Sequence, residues 1–345
     1  MVGLYGDPDV SWSVLLELEF EVPRDRGQVE EAAARLVEEY PHLGAPPQVV
    51  TFAPATAEQV RATFADATYG DHDPLVRAAL SGDCRTLLVA AHHGAVDGLG
   101  LLGVAAALAG ARLTSSARGI ERSTEPTGFV AASLRRLAEA AFFPPVRFAS
   151  NEQPGAAVGD WLLARPVRNV RSGSAALLMG VVAAVRAWNA RTPARGRRLV
   201  IAMGLSRRPG APTPVPDRDT AFMRLVATRI RSVADAAALV AATAPEPVFP
   251  VSDGGGLGPR FARRLSGRLG STALVSNLGL VVGDGLRQVR FWPVPTGPSG
   301  VAIGLASVGT ETVLTLRVRR GWFGPDQAEA LADLVVTEFV SAAQA

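Results

Sequence analysis

The clearest alternation of apolar and polar positions lies near the start of the chain. Across residues 11–22, Val14, Leu16, Leu18 and Phe20 take every second position, which predicts a strand with one face buried. Residues 23–27, opened by Pro23, read as a turn. Val29, Ala33, Leu36, Val37 and Tyr40 then recur at helical spacing up to Pro41, predicting a helix over 29–40. A polar stretch follows. The apolar runs 75–80 and 85–91 flank Ser81-Gly82-Asp83, which is the pattern of a β-hairpin. A Leu- and Ala-rich run predicts a further helix over 99–113.

The middle of the chain, 114–170, is less regular, with one amphipathic helix over 129–143 ended by Pro144-Pro145. An apolar helix at 174–188 and a buried strand at 198–205 come next. Four prolines in 209–216 demand a loop. Residues 233–244 read as a helix, the glycine-rich 253–258 as a mobile loop, and 273–278, 301–307 and 312–319 as strands. A helix over 325–339 closes the chain. Strands and helices mix without a regular βαβ rhythm, so the expected class is α+β with open mixed sheets.

Length and composition refine this picture. A chain of 345 residues exceeds what one core needs, so two lobes are expected, 1–155 and 156–345. No apolar run reaches the roughly 18–20 residues of a membrane helix, and the best candidate, 177–188, contains Arg186. The first nine residues show no basic stretch leading into an apolar one, and Cys84 is the single cysteine, so a cytoplasmic setting is expected. The pI of about 9.7 overstates the charge, which is formally +3. All 35 basic residues are arginine, and they are interspersed with 32 acidic ones. The clusters Arg195, Arg197, Arg198 and Arg207, Arg208 read as solvated or structural faces rather than a nucleic-acid surface.

The candidate chemistry sits at the end of the strand over 85–91, in the run His92-His93-Gly94-Ala95-Val96-Asp97-Gly98. A histidine at a strand exit is held rigidly toward a cleft and suits general-base work, with His93 the candidate. Asp97 would orient the motif or pair with an arginine. Gly94 and Gly98 would permit tight backbone and close approach. Two other readings compete here. Gly98-Leu99-Gly100-Leu101-Leu102-Gly103 spells a dinucleotide fingerprint, with Glu121 at a suitable distance, but the His-His-x-x-x-Asp run occupies the required turn. His93 and Asp97 stand four apart, as metal ligands can, yet the sequence supplies no convincing third ligand. His42 and His72 lie in polar contexts and read as surface residues, and Cys84 has no neighbouring base.

The His-His-x-x-x-Asp-Gly pattern resembles the signature of nonribosomal condensation domains and related acyltransferases, including wax-ester-synthase-like and polyketide-associated members. Further pieces resemble that family in the same order: Tyr40-Pro41-His42-Leu43, Pro74-Leu75-Val76-Arg77, Pro144-Pro145 with the helix over 174–188, Gly204 to Pro209, and Val275-Ser276-Asn277-Leu278-Gly279. The chain departs from it in being short, with much of the loss before His92. Leu99 stands where serine is common, and Arg320-Gly321-Trp322-Phe323-Gly324 only echoes a plant-type motif.

The resemblance implies a two-lobed, V-shaped fold with a tunnel between the lobes and His93 midway along it. His92 would point inward, and Arg207 (or Arg208) would pair with Asp97. Gly94, Ser276 and Asn277 would line the tunnel or hold an oxyanion. The implied activity is acyl transfer from a thioester to a hydroxyl or amine of a small molecule, in specialised metabolism. The donor would be acyl-coenzyme A or a carrier protein's phosphopantetheine, with no metal and no tightly bound cofactor. The expected protein is a monomer, with no nucleic-acid partner. Two alternatives stay open: a cyclisation or dehydration on the same fold, and a non-catalytic protein that docks a carrier.

Overall fold

The computed structural model describes residues 11–70, 73–117, 119, 135–136, 138–139, 142–150, 158–170, 173–190, 198–208, 213–246, 270–295 and 300–345. The architecture is α+β, with two mixed sheets. The first sheet has the order β10-β1-β4-β3-β2, from β1 (Ser13–Phe20), β2 (Val49–Phe52), β3 (Val76–Ser81), β4 (Thr86–His92) and β10 (Leu286–Trp292). The second runs β6-β12-β11-β9-β7-β8, from β6 (Asp160–Arg168), β7 (Val200–Ser206), β8 (Thr220–Val226), β9 (Ala273–Gly283), β11 (Val301–Val308) and β12 (Glu311–Arg319). Its seventh strand, β5 (Leu113–Ser115), pairs with the far end of β9.

Period-two alternation decides which core each strand face serves. On β1, Val14, Leu16, Leu18 and Phe20 pack with α1 (Arg26–Glu39) and α3 (Gly98–Ala109), while Leu15 turns to the other face beside Phe64 of α2 (Ala57–Ala65). The expected helix at 29–40 is α1, started one turn earlier by the Asp25 cap, whose carboxylate accepts the Gln28 amide. The expected hairpin is β3–β4, antiparallel as predicted. The helix expected to reach Leu113 stops at Ala109, because Gly110 takes a left-handed conformation (φ 57°) and caps it. The second core packs α4 (Ser174–Ala190), α5 (Val233–Ala242) and α6 (Pro325–Gln344) on one face of the second sheet. The expected helix over 129–143 and loop over 253–258 fall largely or wholly outside the described residues, as do His72, Glu121, Arg195 and Arg197.

The lobes are tied together at depth. β10 returns from the second half of the chain to pair with β1, Leu15 opposite Trp292. Arg317 on β12 is 1% exposed; its guanidinium pairs with Asp160 at 2.6 Å and donates to the carbonyls of Ser13 and Ala65 in the first lobe. Glu17 is likewise buried, between Arg61 and Arg290. Among the described residues no helix is long and apolar enough to cross a membrane.

Candidate active site

The two histidines are fixed by backbone bonds on both sides of β4. The His92 amide donates to the Leu75 carbonyl at 2.9 Å, and the His93 amide to the Trp12 carbonyl at 2.7 Å. The His92 ring is buried. Its Nδ1 accepts the Gly94 amide at 3.1 Å, and its ring meets Tyr69 nearly edge-on, centroids 5.2 Å apart. Burial pushes its pKa down to about 4, and the neighbouring His93 adds to the shift. His92 is therefore a neutral acceptor for the amide of the turn at Gly94.

His93 faces the other way. Its Nδ1 lies 3.1 Å from the Val96 carbonyl oxygen. A carbonyl can only accept, so Nδ1 carries the proton, and in the neutral ring Nε2 is the basic nitrogen. Burial lowers the pKa of this ring, opposed by the Asp97 charge and by the bond to Val96. The neutral form, which can act as a base, is thereby favoured. The ring borders a cavity of about 30 Å³, walled by Val14, Phe222, Ser276 and Phe291 among others. That is enough room for a group the size of a water.

Asp97 clamps three segments. Its Oδ1 accepts the Gly100 amide at 2.7 Å, capping α3, and its Oδ2 accepts the Asp219 amide at 2.9 Å. The guanidinium of Arg208 reaches both oxygens at 3.1 Å. The partner is thus Arg208 and not Arg207. Past the end of β7, Arg208 keeps the parity of Gly204 and Ser206, which face the cleft, whereas Arg207 continues the ladder through its amide to the Asp219 carbonyl. Arg208 also pairs with Asp217. Of the other clustered arginines, Arg198 pairs with Glu139.

The glycines explain the dinucleotide-like spelling. A Cβ on Gly100 would fall 1.9 Å from the Asp217 carbonyl oxygen, and one on Gly103 2.8 Å from the Val215 carbonyl carbon. Gly98 would meet the Phe291 ring at 2.8 Å. These positions let the loop before β8 and the first lobe's aromatics close on α3. The Gly94 amide is spent on His92, so it does not point to a substrate oxygen.

A second cavity, about 400 Å³, adjoins the first and shares Gly98, Gly204, Thr220 and Ser276 with it. Ser276 and Asn277 part company here. Ser276 borders both cavities, while Asn277 borders only the larger, its Nδ2 3.4 Å from Ser174 and its Oδ1 accepting the Gly279 amide at 2.8 Å. Sequence reasoning missed Tyr69, Phe222, Phe291 and Asp219. Only the run Asp217-Arg218-Asp219 after the proline-rich loop carried a polar signal for any of them.

No family model matches the sequence, and no curated protein matches it at a significant level. Solved structures do. The starter condensation domain of rhizomide synthetase, a double mutant bound to C8-CoA and Leu-SNAC, aligns at 13% identity and a TM-score of 0.65, over 98% of this chain and 90% of that one. This chain has the condensation-domain fold. The first condensation domain of the calcium-dependent antibiotic synthetase, bound to a substrate analogue, aligns at 13% identity and a TM-score of 0.62, over 98% and 93% of the two chains. The epimerization domain from the third module of tyrocidine synthetase B aligns at 17% identity and a TM-score of 0.52, over 97% and 92%. The likeness in fold spans nearly the whole chain.

Proposed function

We propose that this protein is an acyltransferase that moves an acyl group from a thioester to a hydroxyl or amine of a small molecule, with His93 as the general base. The observation that carries the reading is the contact of His93 Nδ1 with the Val96 carbonyl at the edge of the cavity. Nδ1–H is engaged by Val96, burial favours the neutral ring, and the same ring borders the small cavity that Ser276 also lines, so that Nε2 is the nitrogen that would take the proton. The acceptor's O–H or N–H would give its proton to Nε2 as its heteroatom attacks the thioester carbonyl. Collapse of the tetrahedral intermediate would break the C–S bond, and the departing thiolate would take the proton back from Nε2. Ser276 Oγ is the candidate oxyanion donor, since Gly94 is already committed.

The donor would be an acyl-coenzyme A or a carrier-bound phosphopantetheine thioester, in line with the C8-CoA held by the rhizomide-synthetase domain. It would approach through a passage between lobes 1–155 and 156–345, in a monomer engaged in specialised metabolism. His92, Asp97, Gly98 and Arg208 would hold the motif's shape. A dehydration that used His93 as an acid is less well supported, because burial disfavours the protonated ring. The test is acceptor-dependent release of free thiol from a panel of acyl-coenzyme A and acyl-pantetheine donors. Release supports the reading, and its absence with every donor and acceptor overturns it.

A further inference from the structure

We infer that the acyl chain of the substrate lies in a fissure passing through the second sheet between β7 and β9, ending against α4 and α5. The identity of the ligand rests on the acyl-transfer reading; the fissure rests on geometry. The parallel ladder between β7 and β9 ends at Gly204 opposite Ser276, yet β7 continues to Ser206 and β9 to Gly283. Beyond Ser276, β9 swerves. Gly279 takes a φ of 69° that a side chain would strain, its amide turns back onto Asn277, and the strand goes on to pair with β5.

The cavity of about 400 Å³ occupies the gap. Neighbouring residues on a strand point to opposite faces. Gly204 and Ser276 border the cavity from the His93 side, and Met203 and Val275 border it from the helix side, so it must pass between the strands. Leu177 of α4 and Val240 of α5 form its inner end.

The lining indicates what would fill it. Thr220 Oγ1 donates to the Leu205 carbonyl, Ser206 Oγ accepts from the Arg208 amide, and Ser116 Oγ accepts from the Leu280 amide. Asp97, the one charged residue among the described lining, is saturated by Arg208 and two amides. Among the described lining residues with polar side chains, Ser276 alone makes no hydrogen bond within the protein. A ligand suited to this site has one polar atom at the Ser276 end and an uncharged, apolar body reaching Leu177, Met203, Val240 and Val275. An unbranched aliphatic acyl chain has that form, with its carbonyl at His93.

Binding of straight-chain primary amides, from butanamide to octanamide, tests this on the full chain by titration calorimetry. These probes carry a carbonyl but no thiol, so the result does not depend on turnover. Each added methylene should tighten binding about fourfold until the inner end is reached. Val240→Trp, on the partly exposed face of α5, should weaken octanamide at least tenfold and spare butanamide. Met203→Trp should do the same, and circular dichroism would verify that both variants fold. No binding of octanamide by the wild type, no dependence on chain length, or unchanged octanamide binding by a folded Val240→Trp would overturn the fissure as an acyl subsite. If octanamide binds as expected while octanoyl-pantetheine yields no thiol with any acceptor, the subsite stands and the acyl-transfer reading fails.

Discussion

Replacing Asp97 by alanine removes the group that joins α3, the end of β7 and the loop before β8. Its carboxylate is about 4% exposed and faces Arg208, which is about 8% exposed. Deleting one member of a buried ion pair strands the other and typically destabilises by about 3–5 kcal/mol. Loss of an N-cap acceptor alone contributes about 1 kcal/mol. The two effects share one group and do not add, and Arg208 keeps its contact with the more exposed Asp217. The expected loss is therefore about 4 kcal/mol for Asp97→Ala and about 2 kcal/mol for Asp97→Asn, which preserves a cap acceptor. Urea unfolding followed by tryptophan fluorescence measures both. A cycle with Arg208→Met should show a coupling of about 2 kcal/mol, and the corresponding cycle with Arg207→Met a coupling near zero. If Asp97→Ala lost less than about 1 kcal/mol, or if Arg207 coupled instead, the clamp described here would be refuted.

The pH dependence of stability carries the signature of His92. Its folded pKa of about 4 lies below the ordinary value near 6.5, so the unfolded chain binds the proton first as pH falls. The associated stability is complete above about pH 6.5 and is lost toward pH 4, by at most about 3 kcal/mol. His92→Asn should flatten the unfolding free energy across this window relative to the wild type; an unchanged slope would contradict the assignment. Gly100→Ala should destabilise by more than about 2 kcal/mol and displace the loop bearing Asp217, whereas Gly110→Ala, with open space around it, should act only through its left-handed backbone, by about 1 kcal/mol. Thermal melts compare the two. Arg317→Met should lower stability by about 3 kcal/mol, since Asp160 and two first-lobe carbonyls each lose a donor; a change within about 0.5 kcal/mol would show that the lobes do not depend on this contact.

Much of the fold was legible because strong periodicity and punctuation coincided. β1, α1, the β3–β4 hairpin, α4 and α5 fall within a few residues of their expected bounds. What was missed had physical reasons. β6 contains Pro166, which reads as a strand breaker, yet it lies at the edge of the second sheet, where a missing donor is tolerated. β10 and β8 interleave arginines with apolar residues, and those arginines are neutralised by Glu17 and Glu19, or by Glu139, from distant parts of the chain. β2 and α2 lie in a stretch whose polar residues are on the exposed faces, and only Phe52, Phe64 and Ala65 are buried. At the site, the motif residues were visible one by one. The choice of Arg208 over Arg207 depends on strand parity beyond β7. The parting of Ser276 from Asn277 depends on where the β7–β9 ladder ends. Neither can be read from local pattern alone.

The most direct test of the central claim compares wild type with His93→Ala in product formation from a thioester donor and an acceptor that support turnover. A general base contributes about 10²–10⁴-fold to such a step. Because burial depresses the His93 pKa, the wild-type kcat/KM should fall only below pH 6.5, the ordinary histidine value. The account predicts a loss of at least about a hundredfold in His93→Ala, together with disappearance of that acidic limb. A folded His93→Ala that retained activity within about tenfold of wild type, with the same pH profile, would contradict it.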